Sequence, residues 1–179
     1  MYWYVLFVKT GYEERILHEI SSLWGIEGLR PFIPMYSSRF KKAGRLISEK
    51  HRLFPGYIFL ETESRGTEIS LRLRPFIARS KNTMKLLRYG KAYEGNQTFE
   101  MNKDEQESYL KLYNDDYCVE MSRGFMAGDL VKITEGPLVG FESRIKKINS
   151  HRMEAVVENS IMGRMVDIRL GLEIISKLR

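Results

Sequence analysis

At 179 residues, with 43% hydrophobic and 29% charged side chains, the chain has the composition of an ordinary folded soluble protein, which excludes a disordered or membrane class and leaves room for one medium domain or two small ones. No apolar run approaches the roughly 18 residues of a membrane span, and MYWYVLFVKT has no positive charge ahead of its apolar stretch, so neither a membrane helix nor a signal peptide is expected. The net charge of +6 allows a polyanionic partner, and it is unevenly spread: residues 1–113 hold 19 basic and 13 acidic side chains, residues 114–179 ten of each.

Residues 3–8, WYVLFV, read as a strand covered on both faces. After Gly11, the residues Tyr12, Ile16, Leu17, Ile20, Leu23 and Trp24 recur at helical spacing. Glu13 and Glu14 fall in the first turn, where the helix dipole favours negative charge, and Gly25 is expected to end the helix. Residues 29–36, with two prolines, suit an edge strand. From Ser37 to Arg52 six cations face one acid, Glu49, around a turn at Ala43-Gly44, which predicts a projecting basic hairpin or loop. LFPGYIFLE, residues 53–61, begins with a Pro-Gly bend and continues as a strand.

A helix is expected over 67–78 and a short strand or turn over 84–89. Charge is again one-sided here, with Arg72, Arg74, Arg79, Lys81, Lys85, Arg88 and Lys91 meeting no acid between Glu68 and Glu94. Asn102 and Glu105 have the spacing of a capping box, opening a helix that carries Tyr109, Leu110 and Tyr113. Residues 114–124 are polar and aperiodic and read as a linker. GDLVKIT, ESRIKKIN, RMEAVVEN and GRMVDIRL then give four short β-patterns, and four or five strands in so short a stretch point to a small SH3-like barrel. The expected class is therefore α+β, in three segments: 1–113, the linker 114–124 and 125–179.

The chemistry points to binding. One cysteine, Cys118, with His18, His51 and His151 gives no zinc spacing and suits a reducing cytoplasm, so no metal or cofactor is expected. There is no nucleophile elbow and no phosphate-cradling glycine loop, and Asp115-Asp116 reads as solvated charge in the linker, so an enzyme is not expected.

The order WYV, TGYEE, FPGYIF, a linker, then GDLVKITEGPLVGF and SIMGRMVDI resembles the NusG family of transcription elongation factors, which join an NGN domain to a KOW domain. The resemblance spans nearly the whole chain. It implies an α/β sandwich (an antiparallel sheet with flanking helices) that binds the clamp helices of the largest RNA polymerase subunit. The surface it implies comprises Trp3, Tyr4, Gly11, Tyr12, Phe54, Pro55, Gly56 and Tyr57. Aromatics around a rigid Pro-Gly bend make a pre-ordered apolar surface suited to partner helices. The hairpin cations Arg39, Lys41, Lys42, Arg45, Lys50 and Arg52 are expected near upstream or non-template DNA, on phosphates.

In the second domain, Ser143 stands where the KOW pattern usually has glycine, and Arg144 follows it. Together with Lys146, Lys147 and Arg152 it forms a basic loop expected to contact nascent RNA, with Arg164 and Arg169 as candidates for base edges. These features make the chain similar to specialised antiterminators of the LoaP type, acting as a monomer on a hairpin in leader RNA. The alternatives are a general NusG factor whose KOW domain meets termination factor or a ribosomal protein, or a KOW protein of ribosome or RNA with no polymerase role. The repeated β-patterns favour a KOW domain that stays β.

Overall fold

A computed structural model describes residues 1–22, 28–90 and 98–178. In chain order these form β1 (Tyr2–Val8), α1 (Glu13–Ser21), β2 (Arg30–Phe32), β3 (Met35–Lys42), β4 (Arg45–Arg52), β5 (Tyr57–Thr62), α2 (Thr67–Arg79), β6 (Thr83–Leu86) and α3 (Lys103–Leu112). There follow β7 (Cys118–Val119), β8 (Ser122–Ala127), β9 (Leu130–Glu135), a 3-10 turn (Glu142–Arg144), β10 (Ile145–Asn149), β11 (Glu154–Ile161) and β12 (Arg164–Leu178). The mixed α/β class and the expected order of elements hold. Leu23, Trp24 and the stop at Gly25 lie outside the described residues, as do Lys91 and Glu94. Two compact units emerge, each discontinuous in sequence: one of 1–34, 54–107 and 160–164, the other of 35–53, 108–159 and 165–179.

The first unit is built on a four-stranded sheet in the order β2-β5-β1-β6, with antiparallel pairings such as Tyr4↔Leu60 and Phe7↔Tyr57. Alternation along β1 and β5 sends Tyr4, Leu6, Val8, Ile58 and Leu60 to one face, where Ile16 and Ile20 of α1 and Ile69 and Leu73 of α2 close over them. Each of these side chains is almost wholly buried, and each contributes about 1.5–3 kcal/mol by leaving water. On the opposite face Trp3 packs edge-on to Phe32 at 5.2 Å and to Phe59 at 6.0 Å, and donates its indole N–H to Glu61 Oε2 at 2.9 Å. The apolar run at both parities was thus a strand covered twice.

The capping box is only half formed. Asn102 Oδ1 accepts the Asp104 amide at 2.8 Å, as a cap should. Glu105 does not turn back to the helix start: its carboxylate accepts the amides of Met162 at 2.6 Å and Gly163 at 3.0 Å. Both residues have positive φ, 52° and 75°, a conformation that turns successive N–H groups to one side and creates an anion-seeking concavity. With Met162 and Glu105 both buried, those amides need an acceptor more than exposed Asn102 does.

In the second unit, β3 and β4 form the predicted hairpin around Ala43-Gly44, both at positive φ (50° and 76°) as a two-residue hairpin turn requires. The segment 114–124, read as an aperiodic linker, differs from that expectation: it contains β7 and the start of β8. β7 pairs in parallel with β3 (Met35↔Cys118, Tyr36↔Val119), and Asn114 closes the turn before it by accepting the Asp116 and Cys118 amides at 3.0 Å each. A two-residue strand is too short to leave a period-two signature.

The remaining strands run in the order β10-β11-β12-β8-β9 and include the four β-patterns of the sequence. β11 alternates half-buried and buried side chains throughout its length. β12 is longer than its pattern foretold, continuing past Gly171 to pair in parallel with β8. A β-carbon at Gly171 would lie 2.1 Å from Met121 Sδ and 2.4 Å from the Ser37 carbonyl oxygen, so only glycine lets the strand pass.

Candidate functional site

The loops TGYEE and FPGY meet at one carboxylate. Glu13, the first residue of α1, is wholly buried; its Oε2 accepts the Gly11 amide at 2.6 Å and its Oε1 accepts the Gly56 amide at 2.7 Å. The Gly56 carbonyl in turn accepts the Val8 amide at 2.8 Å. Gly56 has φ of 86°, and a β-carbon there would sit 3.1 Å from Thr10 Oγ1 and 3.2 Å from the Val8 carbonyl oxygen, so the bend is both left-handed and closely packed. Two loops distant in sequence become one fixed edge.

The aromatic set divides between surface and core. Pro55 and Gly11 are exposed, Tyr12 and Tyr57 are half-buried, and the Lys9 ammonium lies 5.2 Å from the Tyr12 ring centre. Phe54 is buried, stacked on Phe59 at 5.9 Å and edge-on to Tyr57 at 6.4 Å, and Gly56 is buried beneath the bend. Trp3 and Tyr4 do not share a surface. Neighbours on a strand point to opposite faces, so Trp3 enters the aromatic cluster while Tyr4 enters the helix-covered core and donates to the Ser64 carbonyl oxygen at 3.0 Å.

Phe7 takes a place that the motif reading did not give it. It stands directly across from Tyr57, ring centres 5.4 Å apart, and is half-buried. Its signal was present in the parity of β1, since position 7 shares a face with Trp3. Beside the pair lies a cavity of about 500 Å³, lined by Phe7, Tyr57, Lys85, Leu86, Arg88 and Phe99 among others. The Arg88 guanidinium lies 5.1 Å over the Phe99 ring.

The hairpin register sorts its charges. Met35↔Arg52, Ser37↔Lys50, Arg39↔Ser48 and Lys41↔Leu46 are opposed, placing Arg39, Lys41, Lys50 and Arg52 on one face. The other face carries Glu49 and, at the tip, Lys42 directly opposite Arg45. His51 belongs with Glu49: its Nε2 lies 2.9 Å from Ser38 Oγ and 3.8 Å from Glu49 Oε2, and its ring lies 5.3 Å from that of Tyr36. Among the described residues Arg39, Lys41, Lys42, Arg45 and Lys50 form no ion pair.

The basic residues expected on RNA are less uniform. Lys146 Nζ lies 2.8 Å from Asp167 Oδ1 and also pairs with Glu158, and these two carboxylates raise its pKa. Its charge is matched locally. Arg144 lies 5.0 Å over the Phe141 ring and donates to Ser108 Oγ at 3.1 Å. Lys147, Arg152 and Arg169 are exposed in the second unit, whereas Arg164, also exposed, belongs to the 160–164 segment of the first. Among the described residues no group of three or more His, Cys, Asp or Glu could hold a metal ion, and no helix is long and apolar enough to cross a membrane.

Comparison with known proteins agrees with the geometry. Residues 1–109 match the family described as transcription termination factor nusG. The chain is similar, at 24% identity over 98% of both chains, to the transcription termination/antitermination protein NusG of Borreliella burgdorferi. It is also similar, at 23% identity over 98% of its own length and 89% of the relative's, to the protein of the same description from Rickettsia typhi.

Proposed function

Because this chain belongs to the NusG family of transcription factors, we propose that its first unit docks on the clamp helices of the largest RNA polymerase subunit, and that the bound protein acts as a processive antiterminator. The observation that carries this reading is the Phe7–Tyr57 pair, set against the buried ring of Phe54 and directly after the Pro55-Gly56 bend that Glu13 holds. A rigid apolar edge binds partner helices without losing loop entropy on contact. If it fits the closed clamp better than the open one, binding shifts the polymerase towards its processive state, since a ligand moves an equilibrium by its difference in affinity for the two forms. Tyr57→Ala in a protein that still melts cooperatively weakens binding to purified polymerase at least about tenfold, leaving a measurable affinity, and lessens the reduction of pausing; wild-type affinity removes the docking assignment.

The hairpin adds a DNA contact. Three cations, Arg39, Lys41 and Lys50, share a face with no ion pair among the described residues, and cations so placed contact phosphates without reading sequence. Contact with nascent RNA, as in LoaP-type antiterminators, falls to Lys147, Arg152 and Arg169 together with Arg144, because Lys146 is already matched by two acids.

A further inference from the structure

We infer that Glu13 is the positioning residue of the docking face, the group whose removal costs partner affinity by releasing the FPGY bend. The inference rests on the docking reading above. A carboxylate with no solvent exposure loses hydration worth several kcal/mol and survives as an anion only where donors replace the water. Here two backbone amides donate to it, at 2.6 and 2.7 Å, short distances typical of charge-assisted bonds. The helix start adds favourable dipole.

Helix capping alone does not account for this arrangement. Glu14, next along and exposed, can meet the dipole from solvent, and α1 has no side-chain cap bond at its start. Glu13 instead reaches back to Gly11 and across to Gly56, which lie in separate loops and both have positive φ. The distance spanned needs the full glutamate side chain. Aspartate is one methylene too short, and glutamine must present its NH₂ group, a donor, to one of two amide donors. Tyr57 follows Gly56 directly, so freedom gained at the bend is freedom given to the ring that docks.

The test is a double-mutant cycle on full-length protein binding to purified RNA polymerase, with Glu13→Gln and Tyr57→Ala. Glu13→Gln alone is expected to weaken binding about tenfold or more, and to cost little in the Tyr57→Ala background, because both changes remove the same contact. Wild-type affinity for Glu13→Gln, or equal losses in both backgrounds, overturns the positioning role and leaves docking intact. Full binding by Tyr57→Ala overturns docking and this inference with it. Amide hydrogen exchange on the unmodified protein needs no variant: the Gly11 and Gly56 amides exchange as slowly as the strand amides of β1, and exchange at the rate of an open loop refutes the clamp.

Discussion

Lys42 and Arg45 stand directly opposite each other across the turn at Ala43-Gly44. Like charges so placed destabilise a hairpin by up to about 1 kcal/mol, and Ala43 in the left-handed region adds about 1 kcal/mol of strain. Both penalties fall at the most exposed point of the hairpin, where an anion would relieve the first. Ala43→Asn, which gives the Asn-Gly pair favoured in such turns, is expected to raise stability by about 1 kcal/mol and leave DNA affinity unchanged. Replacing Lys41 and Lys50 by glutamine should lower the slope of log affinity against log salt by about 1.8 on duplex DNA, two phosphate contacts' worth. An unaltered slope in a titration from low to moderate salt places the DNA elsewhere.

The adjacent lysines 146 and 147 should behave differently. Lys146 sits between Glu158 and Asp167, so Lys146→Ala is expected to leave the salt dependence of RNA binding untouched. Lys147→Ala, which removes an exposed cation outside any ion pair among the described residues, should flatten it by about 0.7 on single-stranded RNA. Equal effects at the two positions would mean that the carboxylates do not hold Lys146 in solution.

Gly171→Ala drives a methyl group into Met121 Sδ and, less forgivingly, into the backbone oxygen of Ser37. Urea unfolding should register a loss of about 2 kcal/mol or more, near the upper range of overpacking penalties. Gly140→Ala is the control: its φ of 84° is strained for alanine but the space is open, and the cost should stay near 1 kcal/mol.

Burial first, and the Glu100 carboxylate second, push the Tyr4 hydroxyl well above the usual phenol range. An unfolded tyrosine titrates near pH 10, so above about 10 the unfolded chain sheds a proton that the folded chain keeps, and folding weakens as pH rises. The stabilisation is fully present below that pH. Tyr4→Phe forfeits the bond to Ser64, lowering the melting temperature at neutral pH, but its melting temperature should fall less steeply between pH 9 and about 11.

What the sequence announced, it announced through period and punctuation. The β1 run, the helical spacing of Ile16 and Ile20, the Ala43-Gly44 turn and the FPGY bend are local signals, and each lies where its pattern placed it. Trp3 and Tyr4 show the limit of motif reading: a motif gives adjacency along the chain, whereas a strand turns adjacency into opposition. The Glu13 bond to Gly56 and the Glu105 bonds to Met162 and Gly163 left no trace, because a buried carboxylate and a first-turn carboxylate are spelled alike until the fold shows which amides lack partners. Lys146 was hidden similarly, since its acids arrive from β11 and β12.

The parallel pairing of Met35 with Cys118 sets a timetable for the nascent chain. Synthesis runs from the N-terminus, so β3 leaves the ribosome long before β7 exists, and the hairpin must wait with that edge of β3 open. Open edges recruit stray strands. The side that waits is only two residues long, Met35 and Tyr36, and the strand runs on from it through Ser37, whose hydroxyl later donates to Glu120 at 2.9 Å, and Ser38 rather than through valines and isoleucines that would lengthen an adhesive edge. An apolar edge this short limits what the unfinished hairpin can recruit until the last third of the chain arrives to cover it.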